Sequence, residues 1–287
     1  MNDRLKGTIC MCLSALGMAL MGSTVKLVGT DISTFEKLFF RNIIGTMILL
    51  FTMRGKDIKF FGNSNKGRLF MLFRSIAGLS GAILYFYSIN YLYLADSALL
   101  NKLSPFFVTL FATLFLKEKF EKRQIPILIL VLIGALLVIK PKFSFAIIPA
   151  LAGFTSAIFA GGAYTLVRYL RNFEKPETLV LWFSAISAIG VTIPMILQGF
   201  VIPNRIQLLY LILTGVFATL GQVSLAYAYK FALASEVSIY QYLSIIFSAI
   251  IGFFLWNEIP DFYSLIGGSI IIGVAIFNYY LSTRKSI

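Results

Sequence analysis

Residues 206–229, IQLLYLILTGVFATLGQVSLAYAY, run for 24 positions without a single charge. A helix of that length extends about 36 Å, enough to cross the ~30 Å hydrocarbon core of a bilayer. In lipid such a segment satisfies its backbone internally, which is the condition every spanning element must meet. Comparable runs recur along the chain with short polar breaks between them. The longest break, Arg54 to Gly67, is too short to fold alone. The hydropathy pattern predicts ten spanning helices, at roughly 6–28, 35–53, 68–91, 94–116, 124–140, 145–169, 177–198, 206–229, 234–256 and 261–282. With 59% hydrophobic and 13% charged residues, the chain lies outside the soluble globular range. An all-α membrane protein is the expected fold class, with no room for a soluble catalytic or nucleic-acid-binding domain.

The 25 basic and 12 acidic residues leave a net charge of +13. In a soluble protein that excess would raise nucleic acid as a partner. Sorted by position, 17 of the 25 basic residues fall on the side that holds both termini and five on the other. The positive-inside rule then puts both termini in the cytoplasm of a multi-pass inner-membrane protein. Nucleic acid is not an expected partner; the lipid bilayer is. Three basic residues remain inside predicted spans: Arg41, Arg74 and Lys102.

The first span follows Arg4 and Lys6 as a signal peptide would, but it continues to Lys26 and has a counterpart in the second half. It reads as a membrane helix. Cys10 and Cys12 lie two residues apart within it and point in different directions, so neither a disulfide nor a metal site is expected.

Shifting the chain by 140 residues aligns 85–119 with 225–259. Tyr87 meets Tyr227, Asp96 meets Glu236, Asn101 meets Gln241, Ser104 meets Ser244 and Glu118 meets Glu258. Upstream, 14–26 aligns with 156–168 and pairs Lys26 with Arg168. Each half, 1–143 and 144–287, then holds five spans. An odd number forces the second half to enter the membrane the opposite way round, which makes the repeats inverted. Two inverted five-helix repeats facing each other imply alternating access, and hence transport.

These residues also resemble a known family, the EamA-type members of the drug/metabolite transporter superfamily. LSPFFVTLFATLFLKEKFEKRQIPILILVLIGALLVI (103–139) is similar to the family's Pro-containing fourth helix, Leu-x-Glu turn and Gly-containing fifth helix. FFLWNEIPDFYSLIGGSIIIGVAIF (253–277) repeats that pattern around Glu258, FFRNIIG (39–45) is similar to its Phe-Arg segment, and Lys26 sits where many members carry a basic residue. Ile245 departs from the pattern by replacing Pro105 in the second copy. The resemblance implies ten helices, a central cavity and movement of small metabolites.

The chain contains no His, so the commonest proton relay and metal ligand are missing. Neither Cys has a nucleophile arrangement; no catalytic residue, metal or cofactor is expected, and the chain does not read as an enzyme. A basic side chain near a helix centre costs about 2.5–3.5 kcal/mol on insertion scales, so Arg41, Arg74 and Lys102 call for a use. Snorkelling to the headgroups is the competing account, since each lies six to eight residues from a predicted span end.

Lys102 carries a polar face around it. Ser97, Asn101 and Ser104 fall at i, i+4 and i+7, and Pro105 breaks a backbone hydrogen bond at membrane depth. Gln241, Ser244 and Ser248 form the matching stripe. Arg74, Gly78, Gly81, Tyr85 and Ser88 make another, where small residues serve close packing or make room for a ligand. Lys102, Asn101, Ser104, Arg74, Tyr85, Gln241 and Ser244 are the expected substrate-binding residues, against a competing role as interhelical glue. Lys26, Arg168 and Arg41 are the expected gating residues, with simple anchoring as the alternative. Glu118 and Glu258 are expected to favour the N-terminus of the helix that follows each. Asp96 and Glu236, near the starts of repeat-related helices, read as helix caps, with proton coupling as the alternative. Tyr91 and Tyr93 read as part of an interfacial belt rather than a cavity wall.

The expected function is transport of a small polar metabolite, an amino acid or organic anion, by alternating access. Two alternatives stand beside it: uptake of a nucleotide-derived metabolite stacked on tyrosines, and a non-transport scaffold or lipid-handling protein. A small-molecule substrate is thus the expected partner, and a homodimer is left open.

Overall fold

The computed structural model describes residues 3–54, 59–116, 124–139, 147–170, 173–232 and 237–283. Among them the secondary structure is entirely helical. In chain order the helices are α1 (Asp3–Leu27), α2 (Thr34–Met53), α3 (Asn65–Tyr91), α4 (Leu94–Asn101), α5 (Ser104–Leu116), α6 (Gln124–Ile139), α7 (Ile147–Leu170), α8 (Pro176–Leu197) and α9 (Arg205–Phe231). A 3₁₀ turn (Ser238–Tyr242), α10 (Leu243–Trp256) and α11 (Phe262–Thr283) follow.

Local chemistry sets the boundaries. The Ser33 and Ser64 hydroxyls accept the main-chain N–H groups of Glu36 and Gly67 and so start α2 and α3. A reciprocal capping box between Asn204 and Gln207 opens α9. Pro176 stands in the first turn of α8, where its missing N–H costs nothing. Asn257 closes α10 in the left-handed conformation, at φ 52°.

Among the described residues, six helices are long and apolar enough to cross a bilayer: α1, α3, the α4–α5 segment taken together, α7, α8 and α9. Shorter apolar helices occupy Ile125–Ile139, Tyr240–Trp256 and Phe262–Phe277. The twenty-residue α2, with Glu36, Lys37 and Arg41 in its first eight residues, is not among the six. Polarity is reversed relative to a water-soluble fold. Large apolar side chains such as Ile189, Leu197, Phe254 and Phe277 face outward, while Ser14, Thr24, Ser156, Ser187, Thr214 and Ser244 are buried. Four of them, Ser14, Thr24, Ser156 and Thr214, bond across helices where lipid would offer no partner. Ser14 donates to the Gly221 carbonyl, and Thr214 donates to Thr24, tying α1 to α9.

Helix packing follows a regular plan. α1 lies on α9 and α3 on α7; α2 lies on α8, α6 on α11 and α4 on α10. α5 also packs on α7, and α10 on α1. At the α6–α11 crossing Gly134 and Gly267 meet backbone to backbone. A Cβ on Gly267 would stand 2.5 Å from the Gly134 carbonyl oxygen, so only glycine permits this approach.

Among the described residues, two of the apolar segments depart from the α-helix part-way along. α4 ends at Asn101 and α5 begins at Ser104, with Lys102 as the cap between them. Pro105 has no N–H to give the Asn101 carbonyl four residues back, which is why the α-helical ladder fails there. The second interruption is the 3₁₀ turn before α10, ending at Tyr242, 140 residues after Lys102. It forms without a proline, Ile245 standing in the position of Pro105.

Candidate functional site

The interruption at Lys102 opens onto a small polar cavity of about 30 Å³. Its lining includes Ser14, Tyr85, Asn101, Lys102, Tyr164, Gln241, Ser244 and Ser248. A second cavity of about 70 Å³ adjoins it and contains Arg41, Arg74, Gly78, Gly81, Phe183 and Gln222. Met18, Tyr85, Asn101 and Tyr164 line both, so the two form one central polar site.

Arg41 and Arg74 are 5% and 3% exposed, which excludes snorkelling to the headgroups. Both guanidiniums address Phe183, at 5.1 and 4.1 Å from its ring centroid, and Arg41 also lies 5.8 Å from that of Phe86. Such contacts stabilise a desolvated cation by about 0.5–2 kcal/mol, less than the cost of burying it. The polar partners of the pair are neutral amides. Arg41 donates to Asn42 at 3.1 Å, and Arg74 to Gln222 at 3.4 Å. Arg41 Nε and Arg74 Nε and Nη1 have no hydrogen-bond partner among the described residues. No carboxylate lines either central cavity among the described residues.

Lys102 is nine-tenths buried, and its ammonium makes no hydrogen bond or ion pair to the described residues. Asn101 beside it donates to Ser156 at 3.1 Å, holding α4 against α7. Gln241 donates to the Tyr229 hydroxyl at 2.6 Å.

One end of the central site is sealed. Lys26 at the end of α1 forms an ion pair with Glu258, donates to the Leu92 carbonyl at 2.9 Å and stands 5.3 Å over the Trp256 ring. Glu258 accepts the N–H of Leu94 at 2.8 Å. Its partner is therefore the N-terminus of α4, in the other half of the sequence, rather than the helix that follows it. Glu118 and Glu236 lie outside the described residues.

The opposite end is open. A cavity of about 380 Å³ is lined there by Asn63, Tyr164, Arg168, Glu174, Lys175, Tyr229 and Lys230, among others. Three basic residues stand beside one carboxylate. That carboxylate is engaged structurally, Glu174 accepting both the N–H and the side-chain amide of Asn63. Tyr164 belongs to this wide cavity and to both central ones, so it is the partition between them.

Of the residues expected from sequence, Lys102, Asn101, Tyr85, Gln241 and Ser244 come together in the smaller central cavity, and Arg74 joins Tyr85 and Asn101 in its neighbour. Arg41 was expected at a gate but lies beside Arg74 in the central site. Lys26 is at the sealed end and Arg168 lines the open one. Ser104 departs from expectation. It is buried but lines neither central cavity, because the break at Lys102 resets the helical register that would have put it on the face of Asn101. Its carbonyl oxygen packs 3.2 Å from where a Cβ on Gly161 would be. Tyr91 and Tyr93 are exposed and line none of these cavities. Tyr164, Phe183 and Gln222 were not anticipated. The glycine pair before Tyr164 and Gln222, the amide in the middle of the uncharged run of α9, were usable signals; Phe183 is one of 28 phenylalanines and gave none.

The profile of the EamA-like transporter family matches the chain twice, over residues 5–140 and 147–280. The chain belongs to that family. A pseudopaline exporter, CntI, of Pseudomonas aeruginosa is 34% identical over 277 residues, covering 96% of each chain. An S-adenosylmethionine uptake transporter of Rickettsia bellii is 25% identical, covering 100% of this chain and 98% of its own. One solved crystal structure, 16% identical, superposes with a TM-score of 0.69 over 98% of this chain and 97% of that one, which supports the fold. As an EamA-type transporter the protein is a multi-pass membrane protein rather than an enzyme.

Proposed function

We propose that this transporter carries a small polar metabolite with an anionic group across the inner membrane, by alternating access between two inverted five-helix repeats at 1–143 and 144–287. The observation that carries the anionic assignment is the Arg41–Arg74 pair, buried against Phe183 with three donor nitrogens unpartnered and no carboxylate lining the cavity among the described residues. Two guanidiniums at fixed separation attract a planar oxyanion more strongly than a point charge would. The basic surround of the wide cavity favours the same charge at the mouth.

The repeat reading rests on packing. Exchanging the two halves turns the α1–α9 pair into α7–α3 and the α5–α7 pair into α10–α1, and leaves α2–α8, α6–α11 and α4–α10 unchanged. Counting α4–α5 as one span and the 3₁₀ turn with α10 as another gives ten spans, with the two interruptions 140 residues apart. Both termini then lie in the cytoplasm, the Lys26 seal faces outward, and the wide cavity faces inward.

A second reading is uptake of an adenosyl metabolite, favoured by the relatives named for S-adenosylmethionine. Tyr85 and Tyr164 are its stacking candidates, since Tyr91 and Tyr93 are remote from the site. Family membership sets aside the scaffold alternative. The test is flux in liposomes containing the purified protein, with labelled organic anions, amino acids and S-adenosylmethionine. The anionic reading expects organic-anion flux that Arg74→Gln abolishes at unchanged protein level. Flux of S-adenosylmethionine alone, insensitive to that substitution, rejects it.

A further inference from the structure

We infer that the central site takes a solute with two separated anionic groups, a small dicarboxylate, and discriminates against solutes that also carry an ammonium. This rests on the anionic reading above and deepens it.

Charge and placement carry the argument together. The arginine pair occupies one central cavity and Lys102 the other, so the cationic groups form two subsites rather than one cluster. Each subsite holds a side chain at least nine-tenths buried with donors that have no partner among the described residues. The wall they share is neutral: Met18, Tyr85, Asn101 and Tyr164. A monoanion neutralises one subsite and leaves the other as an uncompensated charge in a medium where that is costly. A dianion satisfies both, its backbone lying along the neutral wall.

The donors also differ in kind. The guanidinium pair offers planar forks suited to a carboxylate held by two oxygens, whereas the Lys102 ammonium offers three divergent donors to a single oxygen. Around Lys102 the other groups are Gln241, Ser244, Ser248 and Ser14. Neither cavity lining contains a carboxylate among the described residues, so a substrate ammonium would meet three cations and no counter-charge. α-Amino acids are thereby disfavoured relative to the matching acids without nitrogen.

The experiment is thermal-shift titration of detergent-purified protein with α,ω-dicarboxylates from malonate to adipate, with monocarboxylates of the same chain lengths, and with aspartate and glutamate. Wild-type, Lys102→Met and Arg74→Gln proteins are compared. At least one dicarboxylate is expected to bind at least about tenfold tighter than its monocarboxylate and its amino derivative, the scale of one charged hydrogen bond. Lys102→Met is expected to remove that preference and leave monocarboxylate binding within twofold; Arg74→Gln is expected to weaken both classes. Because Lys102 has no hydrogen-bond or ion-pair partner among the described residues, Lys102→Met without ligand is expected to melt no lower than wild type, which separates loss of a subsite from loss of the fold. Equal binding of mono- and dicarboxylates, still abolished by Arg74→Gln, overturns the two-subsite inference and leaves the anionic reading standing. Preference for aspartate or glutamate overturns it likewise. If no carboxylate of either class binds, both fall.

Discussion

Glu258, in the turn after α10, accepts the main-chain N–H of Leu94 at 2.8 Å and so caps α4 from the other half of the chain. The same carboxylate holds Lys26. One side chain thus ties the end of α1, the start of the interrupted α4 segment and the α10–α11 turn into the seal. Glu258→Gln keeps an acceptor for Leu94 but loses the charge opposing Lys26. Removing one member of a largely buried ion pair costs about 3 kcal/mol, here from the sealed state. A cysteine placed at Met18, in a background lacking Cys10 and Cys12, is expected to react severalfold faster with an impermeant maleimide added outside. An unchanged rate would show that the pair does not hold the seal.

Phe183 is the surface on which both guanidiniums rest. Phe183→Leu keeps an apolar side chain and removes the ring, at about 1 kcal/mol for each cation contact. Anion affinity measured by thermal shift is expected to fall about tenfold, and the melting temperature of the unliganded protein by a few degrees. If affinity holds while stability falls, the ring is packing alone.

Tyr164 separates the wide cavity from the central site. Tyr164→Ala is expected to raise the labelling of a cysteine at Asn101 from the Arg168 side by about tenfold, whereas Tyr164→Phe, which keeps the ring, leaves it nearly unchanged. Equal labelling in all three proteins would mean that the partition lies elsewhere.

Gly267 crosses Gly134 too closely for any side chain. Gly267→Ala forces α11 away from α6 at about 1–3 kcal/mol, the usual range for overpacking. The melting temperature is expected to drop without a change in ligand preference. A wild-type melting temperature would contradict the close crossing.

How much of this was legible in the sequence depended on the physical source of each feature. Arg41, Arg74 and Lys102 stand out because a charge in an apolar run has no ordinary use, and the structure gathers all three around one polar site. The all-helical fold was equally plain, since uncharged runs of membrane length leave few alternatives. Tyr164 and Phe183 were not legible, because their roles arise where α3, α7, α8 and α9 meet, and no local pattern encodes that meeting. Ser104 falls on Asn101's face only if the helix runs on undeflected past Pro105, whereas the break at Lys102 turns the following residues onto another face. The second interruption was hidden for the converse reason: no proline marks the turn at Ser238–Tyr242.

The arginine pair without a carboxylate has an electrical consequence. A guanidinium does not shed its proton in a protein, so whatever portion of the membrane field the empty site traverses is traversed by two positive charges. Each charge carried through the whole of a 100 mV potential is worth about 2.3 kcal/mol. An interior-negative potential therefore holds the unloaded carrier toward the cytoplasm, and Lys102, when protonated, adds to that bias, while a dianion bound as proposed would offset two of the three charges and weaken it. The voltage dependence of transport would then fall more heavily on the empty return step than on the loaded one.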